Sequence, residues 1–221
     1  MPEQILPPSF VFRFSVPIQE TRLAWKPTGI ELPDECRVPV FQEMDGEREF
    51  ADVRCAWSSQ GLFFDIQVAG KLQQPWCRET RLEDSDNIQI WIDTRDTKNI
   101  HRASRFCHRF LFMPSGAGPT NEQPLSTMLK INRAREESRS LNAERIPISS
   151  QNTETGYRLS SFIPATVLSG FNPEEQPRLG FSYTVSDREL GWQCFSLGPE
   201  FPIDEDPSLW GTLELQSADR K

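Results

Sequence analysis

The chain has 221 residues, of which 37% are hydrophobic, 10% aromatic and 25% charged, the composition of a globular protein and not of a disordered one. A chain of this length can bury a full hydrophobic core without metals or disulfides, and we expect one domain over residues 1–221. The formal net charge of −8 argues against nucleic acid or an anionic membrane surface as the partner.

The N-terminal stretch, MPEQILPPSFVFRFSVP, carries prolines and an arginine where a secretion signal needs an uninterrupted apolar run. No window is apolar and long enough for a membrane-spanning helix. The five cysteines are an odd number without a CxxC pair, which indicates free thiols in a reducing compartment. We therefore expect a cytoplasmic protein without a disulfide framework.

The first predicted strands are rich in phenylalanine and β-branched residues. SFVFRFSV (9–16) alternates phenylalanines with other residues, which predicts a strand. REFADVRCAW (48–57) and GLFFDIQVAG (61–70) are separated by a short polar turn, and this spacing predicts a β-hairpin.

The next strand, DNIQIWID (86–93), has the clearest alternation in the chain and follows the acidic run EDSD (83–86). Successive side chains of a strand point to opposite faces, so Ile88, Ile90 and Ile92 should face a core. Gln89 and Trp91 then lie on the other face, where they are covered by more protein or contact a ligand.

Further strand patterns follow to the end of the chain. We predict strands at RFCHRFLFM (105–113), STMLKINRA (126–134), ERIPISSQ (144–151), GYRLSSFIP (156–164), RLGFSYTVSD (178–187), GWQCFSLG (191–198) and SLWGTLELQ (208–216). The strands at 178–187 and 191–198, joined by a short turn, predict a second β-hairpin. PSGAGPTNEQP (114–124) has the composition of an exposed loop, and PATVLSGF (164–171) that of a short helix. About ten to twelve strands with one or two short helices indicate an all-β fold, an antiparallel, jelly-roll-like β-sandwich.

Three groups of segments carry a resemblance to a known family. They are VRCAWSSQGLFFDIQVAG (53–70), the acid-led strand DSDNIQIWIDTRD (84–96), and the series FIPATVLSGF (162–171), LGFSYTVSDRE (179–189) and SLWGTLEL (208–215). In this order and spacing they resemble the family 9 carbohydrate-binding modules and the wider DOMON-like group, over about residues 25–215. The resemblance implies a β-sandwich and a non-catalytic domain that binds a saccharide.

In the sugar-binding members of that family, two tryptophans enclose a terminal saccharide and polar side chains bind its hydroxyl groups. A sugar ring packs its apolar face on an indole, while its hydroxyls need fixed donors and acceptors. Carried onto this chain, Trp76 and Trp192 would be the two walls and Gln89 and Arg109 the polar groups. Trp91, on the same face as Gln89, completes the predicted ligand site.

Other functions have weaker signals. The acids of EDSD (83–86) and IDEDP (203–207) could hold a structural calcium ion, although neither has EF-hand spacing. His101, Cys107 and His108 suggest a metal, but Cys107 and His108 have opposite strand parity. His108 and Met113 suggest haem, with the same difficulty. No nucleophile motif or phosphate-binding glycine loop is present, so we expect no enzyme.

A protein-interaction module on the same fold is the main alternative. In that case the outward face of the acid-led strand would contact a protein partner instead of a saccharide.

Overall fold

The computed structural model describes residues 7–138 and 146–217, and within these ranges it contains eleven strands in two sheets. The strands are β1 (Ser15–Gln19), β2 (Ala51–Ser58), β3 (Gly61–Ala69), β4 (Asn87–Asp93), β5 (Cys107–Ala117), β6 (Gln123–Leu129), β7 (Ile148–Thr153), β8 (Gly156–Pro164), β9 (Arg178–Asp187), β10 (Gly191–Cys194) and β11 (Gly211–Gln216). Short 3-10 helices cover Pro8–Val11, Asp34–Cys36, Phe41–Asp45, Ala165–Val167 and Pro207–Leu209. The predicted all-β class is confirmed.

The seven-stranded sheet has the order β1-β11-β9-β4-β5-β6, and β10 pairs with the C-terminal half of β9. The four-stranded sheet has the order β2-β3-β8-β7. All neighbours within the described strands are antiparallel except β1 and β11, which are parallel. The prediction of an antiparallel sandwich therefore holds for every pair except this one at the sheet edge.

The two sheets bury one shared core between them. Ile88, Ile90 and Ile92 of β4 are fully buried in it, as their alternation predicts. Contact across the two sheets is visible where the ring of Phe64 on β3 stacks on Phe181 of β9, with centroids 6.3 Å apart. Burial of each such side chain stabilises the fold by roughly 1.5–3 kcal/mol.

The opposite face of β4 is covered in part by loops. Trp91 packs in a second apolar cluster with Ala103, Cys107, Ile131 and Trp210. Only 2% of the surface of Trp91 is exposed. Its indole ring is therefore not accessible for stacking on a ligand.

The predicted strand at 9–16 is wrong over most of its length. Residues Pro8–Val11 form a 3-10 helix, and β1 begins only at Ser15. The phenylalanines pack individually instead: Phe10 stacks on Phe201 with centroids 5.0 Å apart, and Phe14 on Phe41 at 3.8 Å. The alternating phenylalanines therefore serve separate ring contacts and not one face of a strand. Pro8 favours the 3-10 turn in which the segment begins.

The predicted loop at 114–124 is also wrong at its beginning. β5 continues to Ala117, and β6 starts at Gln123, with a register shift between Met113 and Ala117. Gly116 has φ 105° in this irregular part, a conformation that glycine adopts without strain. Pro and Gly therefore mark a β-bulge here, and the connecting loop is shorter than predicted.

The remaining predictions have mixed outcomes. The hairpins β2–β3 and β9–β10 are confirmed, and the predicted helix at 164–171 is a single 3-10 turn. Residues 144–145 of the predicted strand 144–151 lie outside the described residues. All five cysteines are buried free thiols, and no helix in the described ranges has the length and hydropathy needed to cross a membrane.

Candidate functional site

A cavity of about 180 Å³ opens on the outer face of the seven-stranded sheet; we call it the outer pocket. Its lining comes from the loop before β4, from β4, β5, β9 and β10, and from the segment after β10. The lining residues are Glu83, Gln89, Trp91, Arg109, Thr184, Trp192, Pro199, Phe201, Ile203 and Asp204. Sheet register explains the grouping, because Gln89 lies opposite Thr184 and Trp91 opposite Arg109. Residues paired across strands share a face.

Four of the five predicted site residues, Gln89, Trp91, Arg109 and Trp192, therefore line the same pocket. The fifth, Trp76, does not.

Arg109 is held in one orientation by two side chains. Its Nε and Nη2 atoms donate to Gln89 Oε1 at 2.9 and 2.6 Å, and Nη2 also pairs with Glu83. The guanidinium carbon lies 5.5 Å from the centre of the Trp91 ring, within range of a cation–π contact. These partners compensate a cation that is only 5% exposed, and buried charges need such compensation.

Arg109 and Gln89 keep further hydrogen-bond donors after they have made these bonds to each other. Arg109 Nη1 takes no part in them, and Gln89 accepts through its oxygen, so its amide nitrogen faces elsewhere. The indole N–H of Trp91 is buried and has no hydrogen-bond partner among the described residues. A buried donor without an acceptor costs about 1–3 kcal/mol.

The open part of the pocket is aromatic. Trp192, at the start of β10, is 46% exposed, so its ring can be reached from solvent. Phe201 is half-buried and rests against Phe10. Phe201 is thus the second ring of this pocket.

Trp76 lies in a separate cavity of about 310 Å³ lined also by Lys71, Gln73, Gln74, Asp86, Arg188 and Glu189. The guanidinium carbons of Arg188 and Arg78 lie 4.2 and 5.4 Å from the centre of its ring. The structure therefore does not bring Trp76 and Trp192 together as two walls of one pocket.

A buried ion group holds the segment next to Trp76. Lys71 Nζ contacts Asp86 at 3.1 Å and Asp187 at 2.5 Å, and all three side chains are almost fully buried. Burial lowers the pKa of Lys71, but the bonds to the two aspartates outweigh it, so the pKa is raised from its ordinary value. Asp86 also accepts from the backbone N–H groups of Trp76 and Arg188.

Several of the acids considered for calcium have other partners. Glu83 pairs with Arg109, Asp86 with Lys71, and Asp206 with His101 and the Ser208 backbone. Over residues 7–138 and 146–217, no three His, Cys, Asp or Glu side chains are grouped closely enough to hold a metal ion. The calcium hypothesis gains no support from this arrangement.

The histidine hypotheses meet the predicted obstacle of strand parity. His108 pairs with Ile92 on the core side of β5, whereas Cys107 and Met113 belong to apolar clusters on the other side. His108 Nε2 accepts from the Ser169 backbone N–H at 3.1 Å. Burial lowers the pKa of His108 to about 4, so the imidazole is neutral at pH 7.

Sequence reasoning missed six residues of the outer pocket: Glu83, Thr184, Pro199, Phe201, Ile203 and Asp204. Glu83 and Asp204 stand in acidic runs that suggested calcium, and Thr184 has the outward parity of β9. No local pattern marks Phe201, because only the folding of the segment after β10 brings it over the sheet.

No protein-family model and no curated protein sequence matches the chain. The fold, however, is similar to solved structures. A family 9 carbohydrate-binding module from Caldicellulosiruptor kristjanssonii in complex with cellotriose superposes with a TM-score of 0.60 at 13% identity, over 94% of this chain and 96% of that chain. A family 9 module from the same organism in complex with glucose gives 0.59 at 12% identity, over 94% and 98%.

A Bacteroides uniformis protein proposed to bind carbohydrate gives a TM-score of 0.57 at 12% identity, over 93% of this chain and 100% of that chain. Matches of this coverage extend over both sheets. The chain therefore has the β-sandwich fold of the family 9 carbohydrate-binding modules.

Proposed function

We propose that the outer pocket binds a saccharide and that the protein acts through it as a non-catalytic carbohydrate-binding domain. The observation that carries this proposal is the juxtaposition, in one cavity, of the exposed Trp192 ring with the buried Arg109–Gln89 pair and the more exposed Glu83 that pairs with Arg109.

The chemistry of the pocket suits a polyhydroxylated ring. The apolar C–H face of a sugar packs on an indole, which gives contact area without freezing a flexible side chain. Sugar hydroxyls both donate and accept hydrogen bonds, and the pocket contains both acceptors and donors. Carboxylates of Glu83 and Asp204 accept, while Arg109 Nη1 and the Gln89 amide nitrogen donate.

The choice of first ligands follows from the solved structures of similar fold, which hold cellotriose and glucose. We propose glucose and short glucose oligomers as the ligands to be tested first. Structural similarity at 12–13% sequence identity supports a shared fold but does not identify the ligand, so titration decides which sugar is bound.

Isothermal titration of the full chain with glucose and cellotriose tests the proposal. Replacing Trp192 by alanine should weaken binding at least tenfold, since a stacked aromatic contributes more than about 1.4 kcal/mol. Thermal stability should change little, because the ring is 46% exposed and lies outside the core.

The matched control is Trp25→Ala, which removes a half-buried indole that lines neither the outer pocket nor the cavity of Trp76. A folded wild-type protein that gives no heat with either sugar at millimolar concentration would refute the proposal. Equal losses in the Trp192 and Trp25 variants would refute the assigned site. The alternative of a protein-interaction module stays a prediction. Light scattering and pull-down with purified candidate partners would distinguish it from saccharide binding.

A further inference from the structure

The charges around the outer pocket bear on which saccharides it accepts. Its lining contains two carboxylates, Glu83 and Asp204, and one cation, Arg109. The whole chain also carries a formal net charge of −8.

The cation of the pocket is already engaged. Glu83 occupies Nη2 of Arg109, and Gln89 Oε1 accepts from Nε and Nη2, while the Trp91 ring lies beneath the guanidinium. An acidic group on a ligand could form a bidentate pair with Arg109 only by displacing one of these partners.

Glu83 is the partner on the solvent side. Its side chain is 62% exposed, whereas that of Arg109 is 6% exposed. A ligand entering from solvent therefore meets the carboxylate of Glu83 before the guanidinium, with Asp204 as the second acid of the same cavity. Like charges at such short range disfavour binding of an anion.

We infer that the outer pocket accepts neutral saccharides and rejects acidic ones, and that Glu83 is the residue that sets this selection. The inference rests on the proposed saccharide-binding function and names its ligand class. A uronic acid would bring its carboxylate close to the carboxylates of Glu83 and Asp204. The guanidinium of Arg109 is already paired with Glu83 and does not offset this repulsion. Neutral sugars use the same acids as hydroxyl acceptors.

Glucose with glucuronate and galactose with galacturonate form matched pairs for the test, by isothermal titration at pH 7 with the full chain. Wild-type protein should bind the neutral member of a pair at least tenfold more tightly than the uronate. Glu83→Gln keeps the size of the side chain and removes its charge, so Arg109 loses its carboxylate partner and keeps its bonds to Gln89. This variant should reduce the ratio at least tenfold, and added salt should weaken its binding of the uronate.

Glu189→Gln is the control, since that acid lines the cavity of Trp76 and not the outer pocket. Circular dichroism checks that each variant is folded. Wild-type binding of a uronate as tight as that of its neutral partner overturns the inference while saccharide binding stands, as does an unchanged ratio in Glu83→Gln. Absence of heat with all four sugars and with cellotriose overturns the proposed function, and the inference with it.

Discussion

Acid should destabilise this protein through one buried histidine. His108 is 1% exposed on the core side of β5, and its Nε2 accepts from the Ser169 N–H, so the ring proton of the neutral form lies on Nδ1. That Nδ1 atom has no partner among the described residues. Protonation would place a second N–H and a positive charge in the core beside Phe110, whose ring centroid is 6.1 Å away.

The magnitude follows from the pKa. Burial lowers the pKa of His108 from 6.5 to about 4. Between these two values the unfolded chain binds a proton that the folded chain does not, so the free energy of unfolding falls as pH falls. At about 1.4 kcal/mol per pH unit, the loss from pH 7 to pH 4 is about 3 kcal/mol from this residue alone. Above pH 6.5 the contribution is fully present.

Urea unfolding at a series of pH values between 7 and 4 measures this loss. Carboxyl groups titrate in the same range, so the quantity to compare is the difference in slope between wild type and His108→Gln. The exposed histidine provides the control variant, His101→Gln, which should keep the wild-type slope. Equal slopes in wild type and His108→Gln, or an NMR titration of the folded protein with its His108 midpoint near 6.5, would contradict the reasoning.

Two further perturbations concern the stability of the fold. Lys71→Met leaves the buried carboxylates of Asp86 and Asp187 without their cation, and we expect a loss of about 3–5 kcal/mol in urea unfolding at pH 7. A loss below about 1 kcal/mol would mean that the ion group does not stabilise the fold. Gly61→Ala should cost at least about 2 kcal/mol more than Gly46→Ala, because a Cβ at Gly61 would lie 2.1 Å from a backbone oxygen and one at Gly46 meets nothing within 4 Å. Thermal unfolding of the two variants, both with positive φ at the glycine, gives the comparison.

Local pattern determined most of the sheet structure. The alternation of Ile88, Ile90 and Ile92 predicts both a strand and its buried face, because the period of side-chain direction is a property of the strand itself. The same holds for the two hairpins with short polar turns. Alternation misled at 9–16, where proline and separate ring contacts produced the same spacing without a strand, and the predicted strands 126–134 and 191–198 extend beyond the observed β6 and β10.

The residues of the outer pocket are brought together by the register of the sheet and by the path of the connecting segments. The outward parity of β4 and β5 predicts that Gln89 and Arg109 share a face, but their contact with Glu83 depends on the path of the loop before β4. Trp192 and Phe201 come to the same cavity because β10 pairs with β9 and the following segment returns over the sheet.

Trp76 illustrates the limit most clearly. Sequence order and family resemblance made it the partner of Trp192, yet the structure holds its ring against Arg188 in another cavity. The sequence alone determined which strands form and which of their faces are apolar, since these follow from interactions between near neighbours. Which side chains line one pocket was decided only by the tertiary structure, because it depends on contacts between residues as distant in the chain as Gln89 and Thr184.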